Sequence, residues 1–327
     1  MRLAFFIATY KLERQFSWLF NAIKNSDDLF VLHVSEAEVT DAQHAALREL
    51  WGCPNVHILP RMQLAWGGWS LCEMHLRALH LLRALGEQWS YFINLSSQDY
   101  PARPIEELRE FLRANSPRNF IDVREIDQEP EPFRRHLKRR RFWHCVERDG
   151  KLIRLPIPNL QSRPLRVAWY GPLWCMLSRD FCDWILSSGA EQDCRRTLNH
   201  MKLPDEFFFQ TLVMNSPFRS TIDPNTGRFI KWDGQRSPMV ITLEAYDELV
   251  ASQAFFARKF DEAVNDTVLY ALAERVGAQL PSHVSARPSS RASASLPGSA
   301  AFPYGAATRG NEGLHSRCTE ASHPVQR

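Results

Sequence analysis

Strand-like and helix-like patterns alternate through the first 125 or so residues, and no other feature constrains the fold as much. Apolar runs at about 2–9, 29–34 (LFVLHV), 55–59 (NVHIL), 91–95 (YFINL) and 119–123 (NFIDV) have strand length. Between them lie helical patterns at about 13–24, 40–51, 70–85 and from Pro104 onward. The third is the clearest: Ser70 and Glu73 are spaced as a capping box, Leu71, Met74, Ala78, Leu81, Leu82 and Leu85 form an apolar face, and Gly86 is the stop. Such alternation predicts an α/β fold with a mostly parallel central sheet flanked by helices on both faces. Ligands of such sheets bind beyond the carboxyl ends of the strands, which points to the loops after Ala8, Val34 and Leu95.

The second half is less regular. Asp149-Gly150 predicts a hairpin turn between RRRFWHCVE and KLIRLP. A strand near 173–178 leads into a helix from about Asp180; LPDEFFFQTLVMNSP (203–217) opens another, RFIKW (228–232) is a short strand, and helices at about 242–251 and 261–276 follow. Beyond Gln279 the chain is rich in Ser, Ala, Pro, Gly and Arg and poor in large apolar residues, which predicts a disordered tail over 280–327. Residues 1–279 then form one domain, with a nucleotide half over about 1–125 and an acceptor and catalytic half over about 126–279.

Of 327 residues 44% are hydrophobic and the net charge is +3, so no global field singles out a polyanionic partner. The basic run RRHLKRRR (134–141) is one short stretch in a nearly neutral chain and reads as a solvated surface, so no nucleic-acid partner is expected. Seven scattered cysteines without C-x-x-C predict reduced thiols and no structural zinc. MRLAFFIATY is too short to span a bilayer and lacks a cleavage pattern, so the chain is expected to begin directly with its fold.

Dinucleotide, P-loop and hydrolase-elbow motifs are missing, and so is the D-x-D pair with which many sugar-nucleotide enzymes hold a metal. The acids of LPDEFFF admit two readings. Pro204 suits a first helical position, and Asp205 and Glu206 complement the helix dipole. The phenylalanines beside them predict burial, which raises a carboxyl pKa and is one way to make a general base. In WGGWS (66–70) the glycines serve either a tight turn or close approach of a ligand. The polar cluster Asn94–Pro101 follows a buried strand, where sites form. FFARKFD (255–261) wedges two cations among apolar residues, an arrangement suited to a diphosphate.

YFINLSSQDYP, WGGWS, LPDEFFFQTLVMNSP, GRFIKW and FFARKFD together resemble glycosyltransferase family 14, over about residues 3 to 265. That family comprises the core-2/I-branching β-1,6-N-acetylglucosaminyltransferases and the protein O-xylosyltransferases. The resemblance implies the GT-A-type nucleotide-sugar transferase fold. It implies inverting transfer of xylose or N-acetylglucosamine from a UDP-sugar to a glycan or protein acceptor, with no cofactor and no divalent metal. By the same resemblance Glu206 is the general base, while Asp205 caps or holds the site. Lys259 neutralises the leaving diphosphate, with Arg258, Arg228 or Arg236 as the second cation. Trp232 and Trp174 line the acceptor side. Ala8, Ser35, Trp66, Gly68 and Asp99 belong to the nucleotide and donor loops.

Two departures from the family pattern bear on the donor: LHVS carries Ser35 where an Asp is usual, and Ser97 stands where a Gly is usual. They leave sugar and nucleotide preference open and give an alternative, a non-catalytic carbohydrate-binding scaffold with an eroded donor site. Animal members carry a membrane anchor and paired cysteines. Neither pattern is visible here, so the expectation is a soluble, bacterial-type relative without an integral membrane segment, in the cytoplasm or peripheral at the inner membrane.

Overall fold

The computed structural model describes residues 1–9, 14–25, 27–35, 54–160, 163–234 and 237–279. The helix expected at 40–51, the tail 280–327 and Arg236 lie outside the described residues.

The core is a seven-stranded sheet in the order Ile222–Asp223, Asn119–Ile121, Cys175–Ser178, Tyr91–Ser96, Leu3–Thr9, Leu29–Val34, Val56–Ile58. Cys175–Ser178 is antiparallel to both its neighbours, and the other strands run one way. The expected mainly parallel α/β architecture is therefore present. The first strand shows why its sequence is apolar throughout. Successive side chains alternate across a sheet. Ala4 and Phe6 enter one core with the helices Ser70–Ala84 and Phe208–Met214, while Leu3, Phe5 and Ile7 enter the other with Arg14–Ile23 and Thr267–Val276. A strand buried on both faces has no polar side to show.

A buried ion pair fixes where that strand begins. Asp28, with no exposed surface, accepts from Leu3 N (2.8 Å) and from Arg109 Nη1 and Nη2 (both 2.9 Å). Arg109 comes from the helix Ile105–Ala114, so one bidentate pair ties helix, loop and strand together.

Several sequence expectations change in detail. The capping box is not formed. Ser70 is already helical and its Oγ accepts from Ala65 N (2.8 Å), while Glu73 engages Arg77 and Arg195. The last helix starts at Thr267 rather than near 261, because Phe260, Glu262 and Ser97 are bonded to Gln15 instead. The hairpin is present as Trp143–Arg148 and Lys151–Pro158, with Asp149 at φ 51° and Gly150 at φ 70°, the left-handed pair that a two-residue turn demands. The basic run is the helix Phe133–Phe142, and it is not wholly solvated: Leu137 and Arg140 are buried. The five described cysteines, 72, 145, 175, 182 and 194, are free and buried.

Removing one partner of a buried pair strands the other charge. Arg109→Ala is therefore expected to cost about 3–5 kcal/mol in urea unfolding; a loss under about 1 kcal/mol, as for an exposed pair, would contradict this role.

Candidate active site

The antiparallel strand gives the sheet a mixed edge. Its amino end meets the carboxyl ends of its neighbours, so residues 171–174, just before Cys175, lie at the edge where Tyr91–Ser96 and Leu3–Thr9 end. Two groups of charged residues are fastened to these four residues.

The first group is the 203–206 turn. Pro204–Glu206 is a single 3-10 turn leading into Phe208–Met214, and Phe207, Phe208 and Phe209 have no exposed surface, as their sequence predicts. Gly171 N donates to Glu206 O (2.9 Å), and Gln210 Nε2 donates to Pro172 O (2.8 Å). A Cβ on Gly171 would lie 2.2 Å from Asp122 O, so only glycine fits here. The Glu206 carboxylate, 15% exposed, is ion-paired through Oε2 with Arg140, whose side chain is 3% exposed. The Arg140 Nε donates to His136 Nε2 (3.4 Å), and burial, with Arg140 nearby, pulls that imidazole down to about 4. Arg140 was hidden in the sequence by its cationic neighbours. The usable signal was helical spacing: Phe133, Leu137 and Arg140 fall on one face.

Asp205 is the other acid. Its Oδ1 is buried without a hydrogen-bond partner. Burial pushes its carboxyl up to about 7, and the neighbouring Glu206 charge pushes the same way against Arg140.

The second group comes from a three-stranded sheet, Arg228–Ile230, Phe256–Arg258, Asp99–Pro101. Its register sets Arg258 opposite Asp99. The Arg258 guanidinium lies 4.0 Å from the Trp174 ring centroid, a cation–π stack. Arg228 is held further back. Its Nη2 donates to Asn94 O (2.7 Å), its Cζ lies 4.6 Å over Phe256, and Nε and Nη1 are buried without an acceptor. Burial pulls this guanidinium down to about 10, Asp99 opposing and Arg258 reinforcing. Lys259 adjoins Arg258 and its carbonyl accepts from Ile241 N (2.8 Å). Asp99 Oδ2 accepts from Ser96 N (2.7 Å) and Ser96 Oγ (2.5 Å), so this carboxylate orders the loop.

The remaining residues singled out above distribute as follows. Ser97 N donates to Ala8 O (3.2 Å) and Ser35 N to Thr9 O (2.8 Å), both at the carboxyl edge. Buried Gln15, missed in the sequence, staples the loops by donating to Ser97 O (2.9 Å) and Phe260 O (3.2 Å). Trp174 is brought to Arg258, a cation from the diphosphate set. Trp66, 73% exposed, is next to Gly67, whose carbonyl accepts from Leu203 N (2.8 Å), so WGGWS adjoins the 203–206 turn. Gly68 is explained by a protein group: a Cβ there would lie 2.3 Å from Glu147 Oε1, which accepts from Ser70 N (2.7 Å). Trp232 is 38% exposed, beyond the end of its strand. Among the described residues no cluster of three or more His, Cys, Asp or Glu could hold a metal.

Comparisons with known proteins show the family. The family model described as Core-2/I-Branching enzyme matches residues 3–250. Xylosyltransferase 2 of Homo sapiens is 30% identical over 295 residues, covering 82% of this chain and 33% of its own length. The xylosyltransferase of Ciona intestinalis is 29% identical over 276 residues, covering 78% and 32%. The chain thus spans about a third of the length of the curated relatives it matches. The crystal structure of S. aureus TarS 1-349 in complex with UDP superposes with a TM-score of 0.38 at 14% identity, over 84% of this chain and 71% of that one.

These relatives correct the expected location. They are animal xylosyltransferases, and they extend far beyond the matched part. The cytoplasmic assignment, which took the chain for a bacterial-type relative, does not stand. No helix of the described residues is long and apolar enough to cross a membrane.

The Asp205 carboxyl, at about 7, binds its proton more tightly folded than unfolded, where a carboxyl titrates near about 3.9. Its stabilising contribution is complete below the unfolded value and is lost as pH rises through about 7. Asp205→Asn keeps a neutral side chain of the same shape. It is expected to gain on the wild type, between about pH 5 and about pH 8, by on the order of 1–3 kcal/mol in urea unfolding. An unchanged difference between the two pH values would mean that Asp205 is ionised throughout.

Proposed function

The chain belongs to the core-2/I-branching enzyme family, and from that premise we propose that it is an inverting glycosyltransferase needing no metal. It moves a sugar from a UDP-sugar to a hydroxyl of a glycan or protein acceptor. The names of its relatives favour xylose over N-acetylglucosamine as the sugar.

The observation that carries this reading is the joint attachment of the two charged groups to residues 171–174. Gly171 is bonded to the Glu206 backbone and Trp174 underlies Arg258. Three residue steps separate these contacts, at most about 11 Å of extended chain. That interval suits a pyranose ring with a hydroxyl approaching one face and a diphosphate leaving from the other.

In the reaction, the acceptor oxygen attacks the anomeric carbon from the face opposite UDP. The new carbon–oxygen bond forms as the bond to the β-phosphate oxygen breaks, and the hydroxyl proton passes to Glu206. Arg140 takes Oε2 of that carboxylate and so leaves Oε1 for the acceptor. Arg258 and Lys259 face the charge that develops on the diphosphate, a fixed cationic field where other enzymes place a metal. Of the candidate second cations, Arg258 fits best. Arg228 is committed to the Asn94 carbonyl, though its unmatched buried N–H groups add positive potential beneath the site.

Calorimetric titration with UDP and UDP-xylose in EDTA tests the donor site; binding only after manganese is added would end the metal-independent reading. Glu206→Gln should leave UDP affinity unchanged and lower transfer by about 10²-fold or more, and normal turnover would remove Glu206 from the role of base. Lys259→Ala should weaken UDP binding about 10- to 100-fold, as expected for loss of a charged partner.

A further inference from the structure

Asn94 lies within the strand Tyr91–Ser96 with none of its surface exposed. A buried amide must satisfy two donors and an acceptor oxygen. Asn94 does so on segments far apart in sequence. Its Nδ2 donates to Leu173 O (3.0 Å) and its Oδ1 accepts from Cys175 N (2.9 Å), so one side chain grips the backbone on both sides of Trp174. The same Nδ2 lies 3.2 Å from His75 Nε2. Burial pulls His75 down to about 4, so the ring is neutral. Its Nδ1 is 2.8 Å from Leu71 O; a ring that donates there presents Nε2 as an acceptor to Asn94. The main-chain oxygen of Asn94 accepts from Arg228 Nη2 (2.7 Å).

Every one of these bonds ends on protein, so Asn94 is fully occupied behind the wall of the site. Their placement is specific nonetheless. Residues 171–174 precede the antiparallel strand, and Cys175 N, at its first residue, is bonded to the Asn94 side chain. Losing that amide would take the partner from a partly buried carbonyl on one side of Trp174 and from a buried N–H on the other.

We infer that Asn94 is a positioning residue for donor binding: it fixes the Trp174 ring, and through that ring the direction in which Arg258 faces the diphosphate. This rests on the reading of Arg258 as a diphosphate cation. A merely structural Asn94 would support stability alone, and its loss would leave donor binding unchanged; an Asn94 acting by another route would weaken binding independently of Trp174.

A double-mutant cycle separates these roles. UDP binding is measured calorimetrically in EDTA for the wild type, Asn94→Ala, Trp174→Ala and the double variant, each well below its unfolding temperature. Each single change is expected to weaken binding about tenfold, and the double variant to bind no more weakly than Trp174→Ala alone, as coupled neighbours do. Additive loss, about a hundredfold in the double variant, would overturn the inference. Should Asn94→Ala fail to fold, Asn94→Asp serves instead; it keeps an acceptor for Cys175 N but presents an oxygen to Leu173 O.

A second readout needs no ligand. In arginine-labelled protein the Arg258 guanidinium protons, assigned with Arg258→Lys, should be shifted upfield by the Trp174 ring. That shift should vanish in Asn94→Asp as it does in Trp174→Ala, and its persistence would overturn the inference whether or not UDP binds. A wild type that fails to bind UDP, with the shift lost in Asn94→Asp, would count against the UDP-sugar reading and leave the positioning role standing.

Discussion

The reversal of one strand organises everything at the carboxyl edge. Were Cys175–Ser178 parallel to its neighbours, residues 171–174 would lie at the opposite edge of the sheet, away from Ser96, Asp99 and Arg258. Reversed, the strand brings Gly171 to the 203–206 turn and Trp174 to the second sheet. Antiparallel insertion also changes the hydrogen-bonding pattern, and here the first residue of the inserted strand bonds to a side chain, Asn94 Oδ1. Buried amides are costly unless satisfied, so this strand and that asparagine depend on each other. Gly171 completes the constraint. With Asp122 O where its Cβ would be, no other residue lets the 203–206 turn approach so closely.

The electrostatics of the site follow from which charges are given partners by the fold. Glu206 meets Arg140, 66 residues earlier in the chain, whereas Asp205 has one oxygen without a partner and rises to about 7. Two adjacent acids are thus set apart by their surroundings, which is how one short segment can hold carboxyls with different tasks. The general argument that aromatic burial raises a carboxyl pKa applies here to Asp205, the acid that the family pattern does not assign as base. Glu206 instead has a cationic partner: its Oε2 is ion-paired with buried Arg140.

The sequence made the backbone of this arrangement legible. Unbroken apolar strands, the Asp149-Gly150 turn, the three buried phenylalanines and the cations of FFARKFD are local signals with local causes. What stayed hidden was long-range. Arg140 sits in a run whose other charges are mostly exposed, and only its phase relative to Leu137 distinguishes it. The spacing of Ser70 and Glu73 fits a capping box, but Glu147, from a hairpin far along the chain, takes the helix N–H that such a box would serve nearby. Local propensity proposes the cap; a tertiary partner displaces it.

WGGWS carries the same lesson into function. From sequence, its glycines could serve a turn or admit a ligand, and the two readings weigh equally. The structure bears out the turn, with Gly67 at φ 75° and Gly68 N bonded to Ala65 O, and adds a third cause. A carboxylate occupies the space that a Gly68 side chain would need, and Gly67 bonds to Leu203, so the motif locks the hairpin and the 203–206 turn to the start of one helix. A glycine pair beside a site need not mark the ligand's path. Here it lets protein close on protein, and the rigidity gained at Leu203 passes directly to the turn that carries Asp205 and Glu206. Trp66, left exposed beside that turn, is then the part of the motif open to solvent.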